Sequence, residues 1–305
     1  MTKTVGKKKT ESKAGSKPAK RASVSNSTKP KAGSKPLEKM ADERPERKTH
    51  KHPWQMFCYV VMLTSWVFAS VIGSQYIVAY PMTWIIGSDA MEKPVAAAVY
   101  SALSYVVAML LIVLVPLIVY RKYSAKQGKK VIPLKEERKG LLKTLGLFKW
   151  PTWTDIGLAP VGFIVYCVLA GGLVALFNLF PWFNATEVQE VGFSYYVSGF
   201  DRVVAFLTLV VVAPIAEEVI FRGWLYGKMR EKIASEYTNI TSMVISTLVV
   251  SLLFGLVHMQ WNVGVNVFAL SIVLCGLREI TGTIHAGILL HMLKNGVAFW
   301  LLFMM

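Results

Sequence analysis

Apolar residues fall into long runs separated by short charged or turn-forming segments. The runs are Trp54 to Tyr80, Val95 to Tyr120, Ile156 to Leu179, Val203 to Tyr226, Met243 to about Trp261, Val263 to Leu277, and Ile284 to Met305. About 20 apolar residues are needed for a helix to cross the hydrocarbon core of a bilayer. The pattern therefore predicts an all-α, polytopic transmembrane helix bundle of about seven spans. The sixth run is short and also reads as a re-entrant segment, which would put the C-terminus on the other side. Adjacent glycines, Gly171 and Gly172, mark a point of close helix approach or a flexible point in the third run. Trp54, Trp84, Trp150, Trp153, Trp182 and Trp261 lie near run ends, as in an interfacial aromatic belt.

Composition agrees. Of 305 residues 54% are hydrophobic, and the net charge of +16 is unevenly placed. Residues 1–52 carry 16 Lys or Arg against 5 acids, with Ser, Ala, Pro and Gly between them. Nothing there can build a core, so a disordered basic tail is expected. It contains a short repeat, Lys13-Ala14-Gly15-Ser16-Lys17-Pro18 and Lys31-Ala32-Gly33-Ser34-Lys35-Pro36. The tail reads as a topology signal with attraction to anionic lipid, and not as a specific nucleic-acid binder or a cleaved leader. A second basic stretch, Arg121 to Trp150, has ten Lys or Arg and only Glu136 and Glu137 opposing. The two basic segments flank a pair of spans, which places both, and the N-terminus, on the cytoplasmic side of the membrane (the cell membrane if the source is prokaryotic). Three parts are expected: the tail 1–52, two N-terminal helices with the basic loop 53–152, and a helical core 153–305. Cys58, Cys167 and Cys275 sit in separate runs without metal-binding spacing, as buried small side chains would.

The fourth run carries charge that lipid does not tolerate idly: Ala213-Pro214-Ile215-Ala216-Glu217-Glu218-Val219-Ile220-Phe221-Arg222. Each charge near the bilayer centre costs about 2.5–3.5 kcal/mol on insertion scales. Glu218 and Arg222 are four apart and can pair on one helical face. Glu217 is rotated by about 100° and is free for another task. Phe254 and His258 share a face of the fifth run, and His291 and Asn295 share a face of the last one. His285 points elsewhere, and Lys294 reads as a cation that snorkels or pairs, with no role assigned. Packing alone would account for one buried ion pair. It does not account for a diglutamate, two histidines and an asparagine on successive apolar helices.

In this order the blocks Glu217-Glu218-Val219-Ile220-Phe221-Arg222, Phe254-Gly255-Leu256-Val257-His258 and His291-Met292-Leu293-Lys294-Asn295 resemble the CPBP intramembrane proteases. That family is also known as the type II CAAX prenyl endopeptidase or Abi bacteriocin-immunity type. The likeness covers about Asp201 to Phe299 and leaves the tail and first two spans outside. It implies a peptide hydrolase in or beside the membrane acting on a protein or peptide substrate, prenylated in the eukaryotic family reaction. It also implies Glu217, His258, His291 and Asn295 as catalytic residues, with Glu218, Arg222 and Phe254 in support.

Two chemistries fit these residues. In one, Glu217 activates water, His258 orients it, and His291 and Asn295 stabilise the oxyanion. In the other, Glu217, His258 and His291 hold a divalent metal such as zinc. The resemblance leans to the first, with no cofactor required, although the family is often labelled metalloendopeptidase. The rival class is a non-catalytic membrane protein for bacteriocin immunity or partner binding. One difficulty stands against assembly of the site. With the fourth helix ending at Tyr226 and the fifth starting at Met243, Glu217 lies about 13 Å and His258 about 22 Å from the cytoplasmic ends, at about 1.5 Å per residue.

Overall fold

The computed structural model describes residues 53–91, 93–128, 133–187 and 199–303, all within one compact unit that runs from Lys48 to Met305. The basic tail and its repeat lie outside the described residues. Among the described residues every regular element is helical, and seven helices are long and apolar enough to cross a membrane. The chain is an integral, multi-pass membrane protein.

The elements are α1 Pro53–Ile86, a short α2 Ser88–Met91, α3 Pro94–Lys126, α4 Leu134–Leu145, α5 Trp153–Phe177, α6 Gly199–Ala234, α7 Asn239–Leu256, α8 Trp261–Thr281 and α9 His285–Phe303. Several ends differ from the hydropathy pattern. α1 continues through Pro81 to Ile86, so the expected loop from Pro81 is helical in its first part. α8 is a full span of 21 residues and not a short re-entrant segment. Hydropathy underestimates it because Asn262, Asn266, Arg278 and Glu279 are polar residues inside the helix. Inside the basic stretch, α4 begins with Glu136 and Glu137 in its first turn and ends with Gly146 in the left-handed region at φ 70°. Acids near the helix start and glycine just past its end both satisfy helix-terminal groups.

α1 packs on α3, α7 on α8, and α5 on both α8 and α9, while α6 contacts α3, α7 and α9. One core cluster joins Met56, Leu63, Val67, Ala108 and Ile112 of the first helix pair to Phe221, Trp224 and Leu225 of α6. Outward faces are apolar: Ile164, Val168, Trp150 and Trp153 are exposed, as lipid-facing and interfacial residues are. Small residues mark close approaches. A Cβ on Gly162 would meet Leu290 at 3.1 Å and Leu277 at 3.2 Å, whereas Gly171 and Gly172 face open space. The close approach expected at the paired glycines therefore occurs nine residues earlier. Gly255 and Gly264 bring α7 and α8 together, with a Cβ on Gly255 only 2.9 Å from the Gly264 carbonyl oxygen. Of the three free cysteines only Cys275 is buried; Cys58 and Cys167 face outward. Burial was the wrong expectation for those two, because an outward face in lipid is as apolar as a core.

The α6–α7 hairpin sets the depth of the site. α6 does not stop at Tyr226 but continues to Ala234, and α7 begins at Asn239. Ser242 Oγ donates to the Arg230 carbonyl at 2.9 Å, and an Arg230 guanidinium nitrogen donates to Asn239 Oδ1 at 2.6 Å. Glu217 thus lies about 26 Å from the end of α6, and His258 about 28 Å from the start of α7, at about 1.5 Å per residue. The apparent mismatch came from ending α6 at its first charged residues. α8 and α9 turn back short of that hairpin. Tyr226 Oη and Arg230 Nε both donate to Glu279 Oε1, at 2.8 and 2.9 Å, which fixes their register.

Candidate active site

α6 is not a uniform α-helix where the charges sit. Two π-helical stretches, Leu207–Val212 and Glu218–Tyr226, flank an α-helical segment Ala213–Glu217. Such widened turns are rare and collect at functional sites. Pro214 has no N–H to give, so the ladder is interrupted there in any case. Leu209, in the first widened stretch, offers its carbonyl to Asn295 Nδ2 at 2.9 Å. α9 is thereby tied to α6 one helical turn beyond His291.

The two glutamates are separated as the helical rotation predicts. Glu218 is fully buried and its Oε1 lies 3.0 Å from an Arg222 guanidinium nitrogen, with Arg222 equally buried. The N–H bonds of Arg222 are not aligned for hydrogen bonding within that contact, so it is an ion pair by proximity. Its guanidinium carbon also stands 4.2 Å from the centre of the Phe254 ring, a cation–π contact. His291 Nδ1 donates to the same Glu218 oxygen at 3.0 Å. A Cβ on Gly287 would come within 3.2 Å of the other Glu218 oxygen. Glu218 is thus enclosed by one cation, one imidazole and a glycine backbone.

Glu217 keeps 17% side-chain exposure and lines a cavity of about 300 Å³. His291 Nε2 stands 3.7 Å from Glu217 Oε2. That is longer than a hydrogen bond and leaves the oxygen open toward the cavity. His258 lines the same cavity from the turn that follows α7. Its Nδ1 donates to the Phe254 carbonyl at 2.8 Å, so in the neutral ring Nε2 is the proton acceptor. Phe254 touches both imidazoles edge-on, with centroids 5.2 Å from His258 and 5.8 Å from His291. Helix α7 is ended just beyond by Met259, which adopts φ 57°. Lys294 is close enough to Glu217 and His258 to interact with both electrostatically. His285 is elsewhere, its Nε2 bonded to the Lys149 carbonyl at 2.8 Å.

The structure brings all three blocks together and adds a residue that the sequence did not point to. Tyr105, on α3, donates its hydroxyl to Glu217 Oε1 at 2.7 Å. A tyrosine in an apolar run carries no local signal of this role; a contact across 112 positions is visible only after folding.

Among the described residues no three His, Cys, Asp or Glu side chains converge as ligands of one ion. His291 Nδ1 is bonded to Glu218 and His258 Nδ1 to a backbone carbonyl, which leaves Nε2 as the remaining nitrogen of each ring.

A larger hollow of about 980 Å³ lies between α3, α4 and α6 and is lined by none of the motif residues. Its carboxylates are each engaged: Glu137 with Arg121, Glu136 with Lys139, Glu231 with Lys228, and Glu279 with Arg230. The motif residues Glu217, Phe254 and His258 line the smaller cavity instead.

Residues 199–297 match the family model described as type II CAAX prenyl endopeptidase Rce1-like. The matched segment contains all three blocks and the α6 to α9 scaffold. Over these residues the chain is similar to the CPBP/CAAX protease family. No curated protein and no solved structure matches it. Helices α1 to α5 lie outside the matched segment, so Tyr105 reaches the site from beyond the family region.

Proposed function

We propose that the protein is an intramembrane endopeptidase in which Glu217 is the general base. The observation that carries this is the division of the diglutamate. Glu218 is enclosed and paired, whereas Glu217 opens onto a cavity shared with His258. A water held between Glu217 Oε2 and His258 Nε2 attacks the carbonyl carbon of the scissile peptide bond. Its proton passes to Glu217, and a new C–O bond forms. The oxyanion accepts hydrogen bonds from the second N–H of Asn295, the first being given to Leu209, and from His291 Nε2 when that ring is protonated. Collapse breaks the C–N bond as Glu217 returns the proton to the leaving nitrogen. No metal enters any step.

By the family description the substrate class is a prenylated protein with a C-a-a-X end, reached from the bilayer or its cytoplasmic face. The basic N-terminus lies on the cytoplasmic side in this reading, where it contacts anionic lipid.

The test uses purified full-length protein in lipid nanodiscs, offered farnesylated C-a-a-X peptides and an unprenylated peptide library. Wild type cleaves, while Glu217→Gln and His258→Ala lose at least about a hundredfold in rate, the scale of general base catalysis. Activity persists in chelator. Full activity in both variants would refute the roles and leave the polar core as a packing or recognition element. That is the expectation for a non-catalytic immunity or partner-binding protein.

A further inference from the structure

The cavity beside Glu217 has two unlike walls. One comes from α6, α7 and the turn that follows α7 and, apart from Glu217 and His258, is apolar: Ile220, Phe221, Phe254 and Val257. The other comes from the N-terminal helix pair. Ser74 and Gln75 project from α1, and Tyr100, Ser101, Ser104 and Tyr105 from α3. On α3 these positions, with Ala108, repeat at helical spacing along one face. Serines on a membrane helix often serve only for close packing, or donate to their own backbone. Ser74 does the latter, giving its proton to the Val71 carbonyl at 2.7 Å. Ser104 does not. It is 8% exposed, lines the cavity, and its hydroxyl oxygen is buried without a hydrogen-bond partner. An unsatisfied buried hydroxyl costs about 1–3 kcal/mol by protein mutational data. Its position makes sense when another group fills the cavity.

A substrate cleaved at membrane depth must be extended at the scissile bond. Its N–H and C=O groups then leave their helical partners, and each one unpaired in an apolar setting costs several kcal/mol. Something in the cavity must receive them. Apart from Glu217 and His258, the polar side chains that line it come from α1 and α3. A cavity of about 300 Å³ is at the small end of ligand pockets, which run from about 300 to 1,000 Å³, so it favours small side chains.

We infer that the N-terminal helix pair completes the active site. Tyr105 is a positioning residue that holds one oxygen of Glu217, and the serine wall beside it binds the main chain of an extended peptide segment with small side chains. This rests on the protease reading of Glu217. Tyr105 fixes the carboxylate through Oε1 and leaves Oε2 to the water. Ser104 supplies a donor and acceptor to the peptide backbone at the same level of α3.

The experiment compares steady-state cleavage by the full chain in nanodiscs of two farnesylated C-a-a-X peptides, one with alanine and one with leucine at both a positions. In Tyr105→Phe, kcat falls about ten- to hundredfold, the value of a hydrogen bond to a charged group, while KM stays within about twofold. Ser104→Ala raises KM for the alanine peptide about fivefold, the value of a neutral hydrogen bond. The bulkier Ser104→Leu raises it further. Wild type prefers the alanine peptide. Unchanged kcat in Tyr105→Phe, or a KM that ignores Ser104, overturns the inference while Glu217→Ala remains inactive and the protease reading stands. If wild type cleaves neither peptide, the protease reading fails. Binding of the same labelled peptides to Glu217→Gln protein then reads the serine wall directly: Ser104→Leu in that background weakens it, and equal binding sinks the proposal.

Discussion

Glu217 and Glu218 are adjacent in the chain yet belong to different environments. Glu218 meets Arg222 at 3.0 Å and His291 at 3.0 Å with no exposure, while Glu217 meets the Tyr105 hydroxyl at 2.7 Å and opens onto the cavity. One residue of helical rotation separates an enclosed, paired carboxylate from one that faces the cavity.

This separation predicts opposite phenotypes. Glu218→Ala leaves the Arg222 cation buried without its counter-charge, and removing one member of a buried pair costs about 3–5 kcal/mol. The thermal midpoint in detergent falls by about 10 °C, given about 2–4 °C per kcal/mol for a chain of this size. Glu217→Gln keeps the midpoint within a few degrees while cleavage is lost. Equal thermal shifts in the two variants would contradict the assignment.

Gly255 lies between Phe254 and the turn that carries His258, and a Cβ there would approach the Gly264 carbonyl oxygen to 2.9 Å. The neighbour is backbone and cannot rotate away, so Gly255→Ala forces α7 and α8 apart. Both thermal stability and cleavage fall, with stability lower by about 1–3 kcal/mol, the range for overpacking a well-packed contact. A variant with wild-type stability would show that the approach is not tight.

At Gly146 two costs coincide. Its φ of 70° is unfavourable for a residue with a Cβ, and that Cβ would collide with an Arg278 guanidinium nitrogen at 1.5 Å. Arg278 donates to the Thr144 carbonyl at 2.5 Å and so ties α4 to the end of α8. Gly146→Ala should expose residues 134–145 to limited proteolysis. Adding Arg278→Ala to Gly146→Ala removes the collision, so the two changes together cost less than their sum. Strict additivity would argue against the contact.

Phe254 touches Arg222, His258, His291 and Phe221 at once, with the Phe221 centroid 5.0 Å away. Phe254→Leu keeps most of the buried volume but removes the ring face under Arg222 and the T-shaped contacts with both imidazoles. Cleavage falls about tenfold or more, while stability drops by only about 1–2 kcal/mol. Full activity in Phe254→Leu would reduce the residue to a core filler.

The hydropathy pattern determined the number of spans and the helical class, because lipid admits only segments whose backbone groups are satisfied internally. The spacing of Glu217, Glu218 and Arg222 determined which glutamate pairs, since helical rotation is a local property. The ordered blocks pointed to the family that residues 199–297 resemble. Helix ends were less legible. Charged residues at the end of α6 and inside α8 look like loop to an average over apolarity, yet helices continue through them where other helices satisfy the charges, as Arg230 and Glu279 do for each other. Only the tertiary structure decided that α3 reaches the site. Tyr105 and Ser104 have no motif around them, and their meaning comes from contacts made 112 and more positions away. Periodicity along one helix records which face is polar; what that face meets is set by packing between helices.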